Sequence, residues 1–345
     1  MKVLVTGNLG YIGSVLTEVL TKNNIDFVGY DSGYFEDCLL YDVENNFTQI
    51  KKDIRDINDG DLKNITTIIH MSALSNDPLG EFNSKITREI NYDATINLAN
   101  LAKKNDVKRF IYISSQSMYG ISNSSVELDE YDSEKNPVTE YAKTKWQAEL
   151  ELNKLSDNRF SVVSLRPSTV FGMSPRLRCD IVFNNLLASA YTSGNIEIKS
   201  DGSPWRPVIH IRDVCNAIIA VLKAPVHLIE GKAFNVGIEN GNYTVKSLAE
   251  VVNNSVKGSN LKFTNEHLKD PRTYKVSFKR ILTELKEYYQ PEWNLEKGAT
   301  ELINYFNKIN FTEENFRGPM TNRLKHLAKS ISDNVIDKNF RKNNL

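Results

Sequence analysis

Short apolar runs alternate with amphipathic stretches through the first half of the chain. We predict buried strands at residues 3–5, 27–30, 47–51, 67–70, 110–113 and 160–165. Between the strands, residues 86–104 and 140–155 carry apolar side chains at helical spacing. Strands that alternate with helices predict an α/β fold with a doubly wound parallel sheet, covered by helices on both faces.

The pattern changes after Arg166, where prolines interrupt shorter elements. Helices are predicted at residues 180–192, 214–223, 245–253 and 278–286. We therefore expect a first domain over residues 1–165, to which residues 205–223 return, and a smaller C-terminal α/β region over residues 166–309. Residues 310–345 are polar, with a weak helix at 322–331, and are expected to form a mobile or partner-contacting tail.

Three glycines follow the first predicted strand. Gly7, Gly10 and Gly13 have the spacing GxxGxxG, with Tyr11 and Ile12 between the last two. Gly7 permits the tight turn, Gly10 lets the backbone approach a pyrophosphate, and Gly13 lets the helix pack closely on the strand. An ordinary strand-to-helix turn is the alternative, but the position of the motif favours a dinucleotide-binding unit with the phosphates at the helix N-terminus.

Asp31 follows the second predicted strand. A carboxylate at this point of a dinucleotide-binding unit hydrogen-bonds the adenosine ribose and repels a 2′-phosphate, which favours NAD over NADP. Asp31 also precedes Ser32 and Gly33, so a turn-forming role is the alternative, and both roles can hold at once.

Composition narrows the class of protein. The 43 basic and 43 acidic side chains give zero formal charge, so nothing indicates a nucleic-acid or membrane partner. Cys38, Cys179 and Cys215 are scattered and show no metal-ligand spacing, so we expect no bound metal and a reducing compartment. With no bilayer-spanning run and no leader pattern, a cytoplasmic protein is expected.

Tyr141 and Lys145 lie four residues apart on the helix predicted at 140–155, so their side chains share one face. A tyrosine has a reference pKa of about 10, and a neighbouring ammonium would lower it. Such a phenol can exchange a proton with a hydroxyl while hydride moves to or from a nicotinamide. The strand before this helix continues into residues 114–120, Ser-Ser-Gln-Ser-Met-Tyr-Gly.

Taken in order, GxxGxxG, residues 114–120 and the Tyr141–Lys145 pair resemble the extended short-chain dehydrogenases that act on nucleotide sugars, the NAD-dependent epimerase/dehydratase family. The resemblance covers about residues 1–290. It implies a Rossmann domain at 1–165, a nucleotide-sugar-binding region at 166–309, and catalysis by Ser115, Tyr141 and Lys145. It implies cofactor contacts from Asp53, Ile54, Met71, Ser72, Ala73, Asn91 and Ser114, besides the glycine-motif residues, Asp31, Tyr141 and Lys145.

Family dehydratases carry Asp-Glu after the catalytic hydroxyl residue, whereas this chain has Gln116 and Ser117. The resemblance therefore favours a 4-epimerase, which oxidises and reduces the sugar at C4 with NAD. A 4-dehydrogenase or 4-ketoreductase uses the same residues and stays open, a 4,6-dehydratase is less favoured, and a non-catalytic NAD(H) sensor is least favoured.

The resemblance also implies the substrate contacts. For the nucleotide-diphosphate sugar these are Ser115, Gln116, Thr169, Arg178, Asn185, Arg206 and Arg272. Two arginines in motif context, Arg206 and Arg272, would bind phosphate oxygens. Family members often pair the two long helices, here 86–104 and 140–155, so a homodimer is expected.

Overall fold

A computed structural model describes residues 1–43, 46–75, 77–122, 125–264 and 273–343. The strands are β1 (Val3–Thr6), β2 (Phe27–Asp31), β3 (Thr48–Lys51), β4 (Thr67–His70), β5 (Arg109–Ile113), β6 (Glu127–Leu128), β7 (Ser161–Pro167), β8 (Thr169–Phe171), β9 (Asn195–Ile198), β10 (Trp205–His210), β11 (Lys232–Val236), β12 (Asn242–Thr244), β13 (Asn260–Phe263) and β14 (Lys275–Val276).

The α-helices are α1 (Tyr11–Lys22), α2 (Asp77–Phe82), α3 (Ser84–Arg88), α4 (Ala94–Lys104), α5 (Glu140–Leu155), α6 (Val182–Ser193), α7 (Ile211–Lys223), α8 (Val226–Ile229), α9 (Val245–Ser255), α10 (Lys279–Glu284), α11 (Leu295–Ile309), α12 (Glu313–Arg317) and α13 (Arg323–Ser332). Short 3₁₀ turns cover Ile54–Asp56, Asp59–Leu62 and Gln116–Tyr119.

A parallel sheet of seven described strands forms the centre of the molecule, in the order β11-β7-β5-β4-β1-β2-β3. The doubly wound fold and the six strands predicted from apolar runs are confirmed. The seventh strand, β11, was not predicted. It pairs with β7 after the chain has passed through the smaller sheets, so residues far along the chain complete the central sheet.

Helices cover both faces of this sheet. Helix α7 packs against α1 on one face, and α4 packs against α5 on the other. The strands between them are apolar on both faces; β1 and β4, for example, are buried throughout. Burial on both sides explains why the strands read as continuous apolar runs rather than as alternating ones.

The helix predicted at 86–104 is built from three joined pieces. Helix α3 is followed by a π-helical turn, Glu89–Asp93, and then by α4. A π-turn inserts an extra residue and changes which side chains face inward, and such turns are frequent at functional sites. The inserted turn carries Asn91, which is buried.

The other seven described strands form three smaller sheets. Strand β10 lies between β8 and β12, β9 pairs with β13, and β6 pairs with β14. Helix α11 was not predicted, although Leu295, Ala299, Leu302 and Phe306 are buried along one face.

The C-terminal segment, defined here as residues 310–343, packs against the rest of the chain. Leu327, Ile336 and Phe340 are buried in the same hydrophobic cluster as Leu4 and Val28 of the central sheet. A few well-spaced apolar side chains attach this mostly polar segment to the core, so it is not the mobile tail that was expected, and the alternative of a partner-contacting tail stays a prediction.

Candidate active site

A cavity of about 940 Å³ opens at the carboxyl ends of the central strands. Its wall includes Gly7 after β1, Asp31 at the end of β2, Met71 after β4, Ser114 after β5 and Pro167 at the end of β7. Ligands of doubly wound sheets bind at this edge. The volume is at the upper end of the usual range for ligand sites, which suits a cavity that holds two large ligands at once.

Most of the predicted site residues line this cavity. Those expected to contact the cofactor are Gly7, Gly10, Tyr11, Ile12, Gly13, Asp31, Asp53, Ile54, Met71, Ser72, Ala73, Ser114, Tyr141 and Lys145. Those expected to contact the substrate are Ser115, Gln116, Thr169, Arg178 and Arg206. The structure thus brings together residues separated by much of the chain.

The glycine turn has the geometry that its residue types require. Gly7 has φ +76°, and a Cβ there would lie 2.8 Å from the Ser72 nitrogen. A Cβ on Gly13 would lie 2.2 Å from the Gly7 oxygen, so only glycine lets α1 approach this closely. A Cβ on Gly10 would meet only the Gly7 oxygen, at 3.1 Å, which leaves the first turn of α1 open towards the cavity.

Asp31 has the turn-forming role and also lies where its second predicted role, binding the adenosine ribose, would place it. Its carboxylate accepts hydrogen bonds from the Leu9 nitrogen at 3.1 Å and the Gly33 nitrogen at 2.7 Å, so it shapes the turn. It also lines the cavity, where burial raises its pKa. A carboxylate held this way faces the position of an adenosine ribose in a dinucleotide-binding unit.

Asp53 is held by its neighbours at the same end of the cavity. It accepts hydrogen bonds from Tyr34 Oη at 3.0 Å and from Arg55 Nη2 at 2.7 Å. Burial raises the pKa of Asp53, but the hydrogen bonds and the charge of Arg55 lower it further than burial raises it, so the carboxylate stays ionised. Ile54 adds a buried apolar side chain beside it.

Lys145 is almost fully buried below the cavity. Its Nζ donates to the Ile113 oxygen at 2.7 Å and lies 4.8 Å from the centre of the Tyr112 ring. Burial lowers the pKa of Lys145 to about 7. Because Ile113 ends β5 and Lys145 lies on α5, this bond fixes the helix against the sheet at the site.

The pKa of Tyr141 corrects one expectation. Burial raises it, a hydrogen bond with Ser115 and the charge of Arg178 lower it, and the charge of Asp77 raises it. We expected Lys145 to lower the pKa of Tyr141, but in this structure the pKa is raised. The cost of placing a phenolate away from water outweighs the contributions that lower the pKa.

Ser115 serves two functions in the structure. It caps the 3₁₀ turn Gln116–Tyr119, since its Oγ accepts from the Ser117 nitrogen at 3.1 Å. Its Oγ also lies 2.8 Å from Ser117 Oγ and hydrogen-bonds Tyr141. The cap places the hydroxyl beside the phenol.

Asn91 and Asn185 do not line the cavity as the described residues form it. Asn91 accepts from the Leu74 nitrogen at 2.8 Å and donates to the Leu74 oxygen at 3.1 Å, so it holds the loop after β4. Asn185 donates to the Cys179 oxygen at 2.8 Å. These bonds give both side chains a positioning role, and their assignment as ligand contacts stays a prediction. Arg272 lies outside the described residues.

Gln116 lines the cavity, but its amide is engaged elsewhere. Nε2 donates to the Arg166 oxygen at 2.9 Å, and Oε1 accepts from Ser168 Oγ at 3.2 Å. The side chain therefore ties the Gln116–Tyr119 turn to β7 and its following residues.

Sequence reasoning missed several charged residues of the cavity wall. Asp77, Asp180, Glu197, Lys199 and Arg323 all line it. Asp77 could have been suggested by its place at the start of α2, at the end of the loop that follows β4, because ligand-binding residues collect at this edge of the sheet. Nothing local in the sequence marks Arg323, which lies far beyond the recognised motifs.

The described residues contain no group of three His, Cys, Asp or Glu side chains placed to hold a metal ion. Nor do they contain a helix with the length and apolar character needed to cross a bilayer.

The residues present fit a dinucleotide. The first turn of α1 is open to the cavity, Asp31 faces it, and Ser114 Oγ is buried without a hydrogen-bond partner among the described residues. A glycine turn that faces a Tyr–Lys pair across one cavity defines a Rossmann protein of the short-chain dehydrogenase class.

The chain belongs to the NAD dependent epimerase/dehydratase family, whose model matches residues 3–237. It is therefore an enzyme with NAD as its cofactor.

Similar proteins carry names that differ in the reaction. The chain is 27% identical to the uncharacterized UDP-glucose epimerase YtcB of Bacillus subtilis, over 90% of this chain and 99% of that protein. It is 24% identical to UDP-glucuronic acid decarboxylase 2 of Arabidopsis thaliana, over 91% of this chain and 70% of that protein.

A solved structure shows the same fold. The UDP-glucuronic acid 4-epimerase from Bacillus cereus, in complex with UDP-glucuronic acid and NAD, superposes with a TM-score of 0.75. The match covers 90% of this chain and all of that one, at 23% identity.

Proposed function

We propose that the protein is an NAD-dependent nucleotide-sugar 4-epimerase. The observation that supports this most is the meeting of Ser115, Tyr141 and Lys145 with the glycine turn in one cavity. These are the groups needed to move a proton and a hydride at one carbinol carbon.

Tyr141 is the proton carrier in this proposal. Its Oη takes the proton of the C4 hydroxyl when the sugar is oxidised and returns a proton when the ketone is reduced. Ser115 Oγ, bonded to Tyr141, hydrogen-bonds the reacting oxygen and supports the charge that develops on the phenol. Bound NAD supplies the hydride acceptor for the oxidation and the hydride donor for the reduction.

Lys145 acts by position and by charge. Its bond to the Ile113 oxygen holds Tyr141 one helical turn away, at the reacting carbon. The same Nζ would hold the nicotinamide ribose. A lysine whose pKa is about 7 can gain or lose a proton near neutral pH, so it can relay one from Tyr141.

The nucleotide-diphosphate sugar would extend from Tyr141 towards the smaller sheets. Thr169 on β8 and Arg206 on β10 line that part of the cavity, with Arg206 as the phosphate-binding cation. The similar proteins named for UDP-sugars support this substrate class.

The side chains after Ser115 weigh against a dehydratase. Water elimination needs a carboxyl group to move protons at neighbouring carbons, and Gln116 offers an amide whose donor and acceptor are both engaged. Ser117 offers only a hydroxyl, hydrogen-bonded to Ser115.

The test is a product assay on purified protein with UDP-, dTDP-, GDP- and CDP-hexoses. Proton NMR should show a C4 epimer, with no net change in absorbance at 340 nm. Stoichiometric formation or consumption of NADH would instead indicate a 4-dehydrogenase or 4-ketoreductase. Loss of the C6 hydroxyl would indicate a 4,6-dehydratase, and no conversion with NAD bound would indicate a sensor.

A pair of tyrosine variants checks the assignment of the proton carrier. Tyr141→Phe should reduce kcat by about 10²–10⁴-fold, the usual value of a positioned acid–base group, while NAD remains bound. Tyr288→Phe removes a phenol that does not line the cavity and should leave kcat unchanged.

We further propose a cytoplasmic homodimer that pairs the outer faces of α4 and α5. The two helices already pack side by side, and α5 exposes Leu150, which is 43% accessible. Light scattering during gel filtration should give twice the chain mass, and Leu150→Glu should shift it to the monomer value.

A further inference from the structure

The C-terminal segment contributes one side chain to the cavity. Arg323, the first residue of α13, is the single described lining residue that follows Tyr274 in the chain. Its side chain is almost completely buried, with 2% of the residue accessible. Nη2 donates to the Arg176 oxygen at 2.6 Å and Nη1 to the Met320 oxygen at 3.3 Å. A buried guanidinium at a ligand cavity requires an explanation.

The charges around Arg323 leave it incompletely neutralised. Arg178 donates to both oxygens of Asp180, at 2.8 and 3.0 Å, and the backbone nitrogen of Arg323 donates to that carboxylate at 3.4 Å. Burial, together with repulsion by Arg178 and Arg176, lowers the pKa of Arg323 to about 10 despite the attraction of Cys38 and Asp180. An anion in the cavity would relieve this imbalance.

The neighbours of Arg323 place it on the cofactor side of the cavity. Its guanidinium carbon lies 4.8 Å from the centre of the Phe35 ring, in the loop that follows Asp31. Arg176, whose carbonyl it holds, donates to Ser14 Oγ at 2.9 Å in the first turn of α1. Arg323 is thus linked to both chain segments that a dinucleotide would contact, whereas Arg206 lies on β10 among the smaller sheets.

We propose that Arg323 binds the diphosphate of NAD and that the C-terminal segment retains the cofactor in the protein. This inference rests on NAD as the cofactor and is independent of the 4-epimerase reaction. A guanidinium suits this role because it can donate two parallel hydrogen bonds to phosphate oxygens.

The end of the segment is fastened over the adenosine part of the cavity. Tyr34 Oη lies within hydrogen-bond distance of the Phe340 oxygen as well as of Asp53, and Arg55 Nη1 donates to the Asn339 oxygen at 2.9 Å. Arg341 pairs with Asp56 at 2.5 Å, and Lys342 pairs with Glu36 at 2.9 Å. Tyr34 also holds Asp53 in the cavity wall, so the fastening and the cofactor site share a side chain.

The test compares Arg323→Met, Arg323→Lys and the control Arg317→Met, which removes an exposed arginine of the same segment. Each protein is desalted, its NAD content is measured in a denatured extract, and the binding of added NAD and UDP is measured by calorimetry. Arg323→Met should weaken NAD binding about 10- to 100-fold, as expected for loss of charge-assisted hydrogen bonds, and leave UDP binding unchanged. The NAD affinity of Arg323→Lys should lie between those of Arg323→Met and the original protein, and Arg317→Met should bind NAD as tightly as the original protein.

Circular dichroism and thermal unfolding report whether Arg323→Met folds. If it does not, Arg341→Gln provides the second measurement, because Arg341 lies outside the cavity wall and is partly exposed. Its loss should release NAD at least about threefold faster during dialysis, as expected when an ion pair worth under 1 kcal/mol is removed.

The outcomes separate the hypotheses. The inference is overturned if a folded Arg323→Met protein keeps its NAD content and NAD affinity. Where Arg341→Gln is the variant measured, unchanged NAD retention overturns it in the same way. Weaker UDP binding with unchanged NAD binding would assign Arg323 to the diphosphate of the substrate, and also overturns it. Failure of the original protein to bind NAD would overturn the inference and the cofactor assignment together, whereas failure of the epimerase assay alone would leave the inference standing.

Discussion

Arg166 holds Glu149, a residue of the helix α5 that carries Tyr141, in a buried ion pair. Nε donates to Glu149 Oε1 at 3.0 Å, and Nη2 donates to the same oxygen at 2.5 Å. Glu149 lies one turn beyond Lys145 on α5, and Arg166 also donates to Tyr119 Oη at 3.0 Å. The pair therefore joins α5, β7 and the turn that carries Ser115.

Removing one partner of this pair should destabilise the protein strongly, because it leaves an unpaired buried charge. Glu149→Ala should lower the free energy of unfolding by about 3–5 kcal/mol. The control is Glu151→Ala, which breaks an exposed pair with Lys154 and should cost less than about 1 kcal/mol. Urea unfolding followed by fluorescence measures both, and equal losses would contradict the structural role of Arg166.

The pH dependence of turnover should report the neighbours of Tyr141. Oxidation needs the phenolate, so kcat/KM should rise with pH through the pKa of Tyr141. The charge of Asp77 raises this pKa, so Asp77→Asn should move the rising limb to lower pH. The hydrogen bond of Ser115 lowers it, so Ser115→Ala should move the limb to higher pH and reduce kcat about 10²-fold.

The control for this profile is Asp132→Asn, an exposed residue outside the cavity wall, which should leave the limb in place. A limb that moves the same way in Asp77→Asn and Ser115→Ala would show that Tyr141 is not the titrating group.

Lys145 should make the stability of the protein depend on pH. Its folded pKa is about 7, below the value of 10.5 for a free lysine, because burial disfavours the ammonium. Burying the charged lysine lowers the free energy of unfolding, and this loss is complete below pH 7. It disappears as pH rises towards 10.5, because in that range the unfolded chain keeps a proton that the folded protein has released. Lys145→Met removes this loss.

Thermal unfolding measures this effect. The unfolding temperature of the original protein is subtracted from that of Lys145→Met at each pH. This difference should be at least about 2 °C larger at pH 6 than at pH 9, which is the shift expected for roughly 1 kcal/mol. Lys143→Met, on the exposed side of the same helix, should show no such difference. A difference that is independent of pH would rule out a depressed pKa for Lys145.

Asp31 should set the choice between NAD and NADP. Asp31→Asn keeps one oxygen, which can accept from either Leu9 or Gly33, whereas the carboxylate accepts from the two nitrogens with different oxygens; the substitution also loses the charge that repels a 2′-phosphate. NAD affinity should fall about 10-fold, since a hydrogen bond to a charged group is lost, and discrimination against NADP should fall as well. Calorimetry with both dinucleotides measures this, with Asp26→Asn as an exposed control; unchanged selectivity would refute the role.

The parts of the fold that the sequence predicted are those encoded locally. Strands buried on both faces appear as apolar runs, and a glycine turn or an i, i+4 pair is complete within a few residues. Strand β11 escaped prediction because its five residues include Lys232 and Asn235. The Asn235 side chain is buried for a tertiary reason: it accepts from Tyr119 Oη at 2.8 Å.

Helix α11 escaped prediction for a related reason. Gly298 interrupts its pattern, yet a Cβ there would lie 2.5 Å from the Phe171 ring, so close packing between elements selects the glycine. Tertiary packing overrides local propensity at such a position.

The site was predictable to the extent that its residues lie in motifs. Neighbouring asparagines show the limit: Asn184 faces Tyr11 Oη at 3.1 Å, while Asn185 turns to the Cys179 oxygen. Which of the two faces inward depends on how α6 packs. Arg323 was unpredictable because it reaches its partner Arg176 across 147 residues of chain.

The return of the chain to the central sheet at β11 limits how the enzyme can be divided. An edge strand contributed from residues 232–236 means that cutting after β7 would leave an unpaired, aggregation-prone border on the amino-terminal fragment. To exchange substrate specificity with another family member, the segments before and after β10, α7 and β11 would have to be replaced separately. Replacing the whole carboxyl-terminal half at once would also remove β11 from the central sheet.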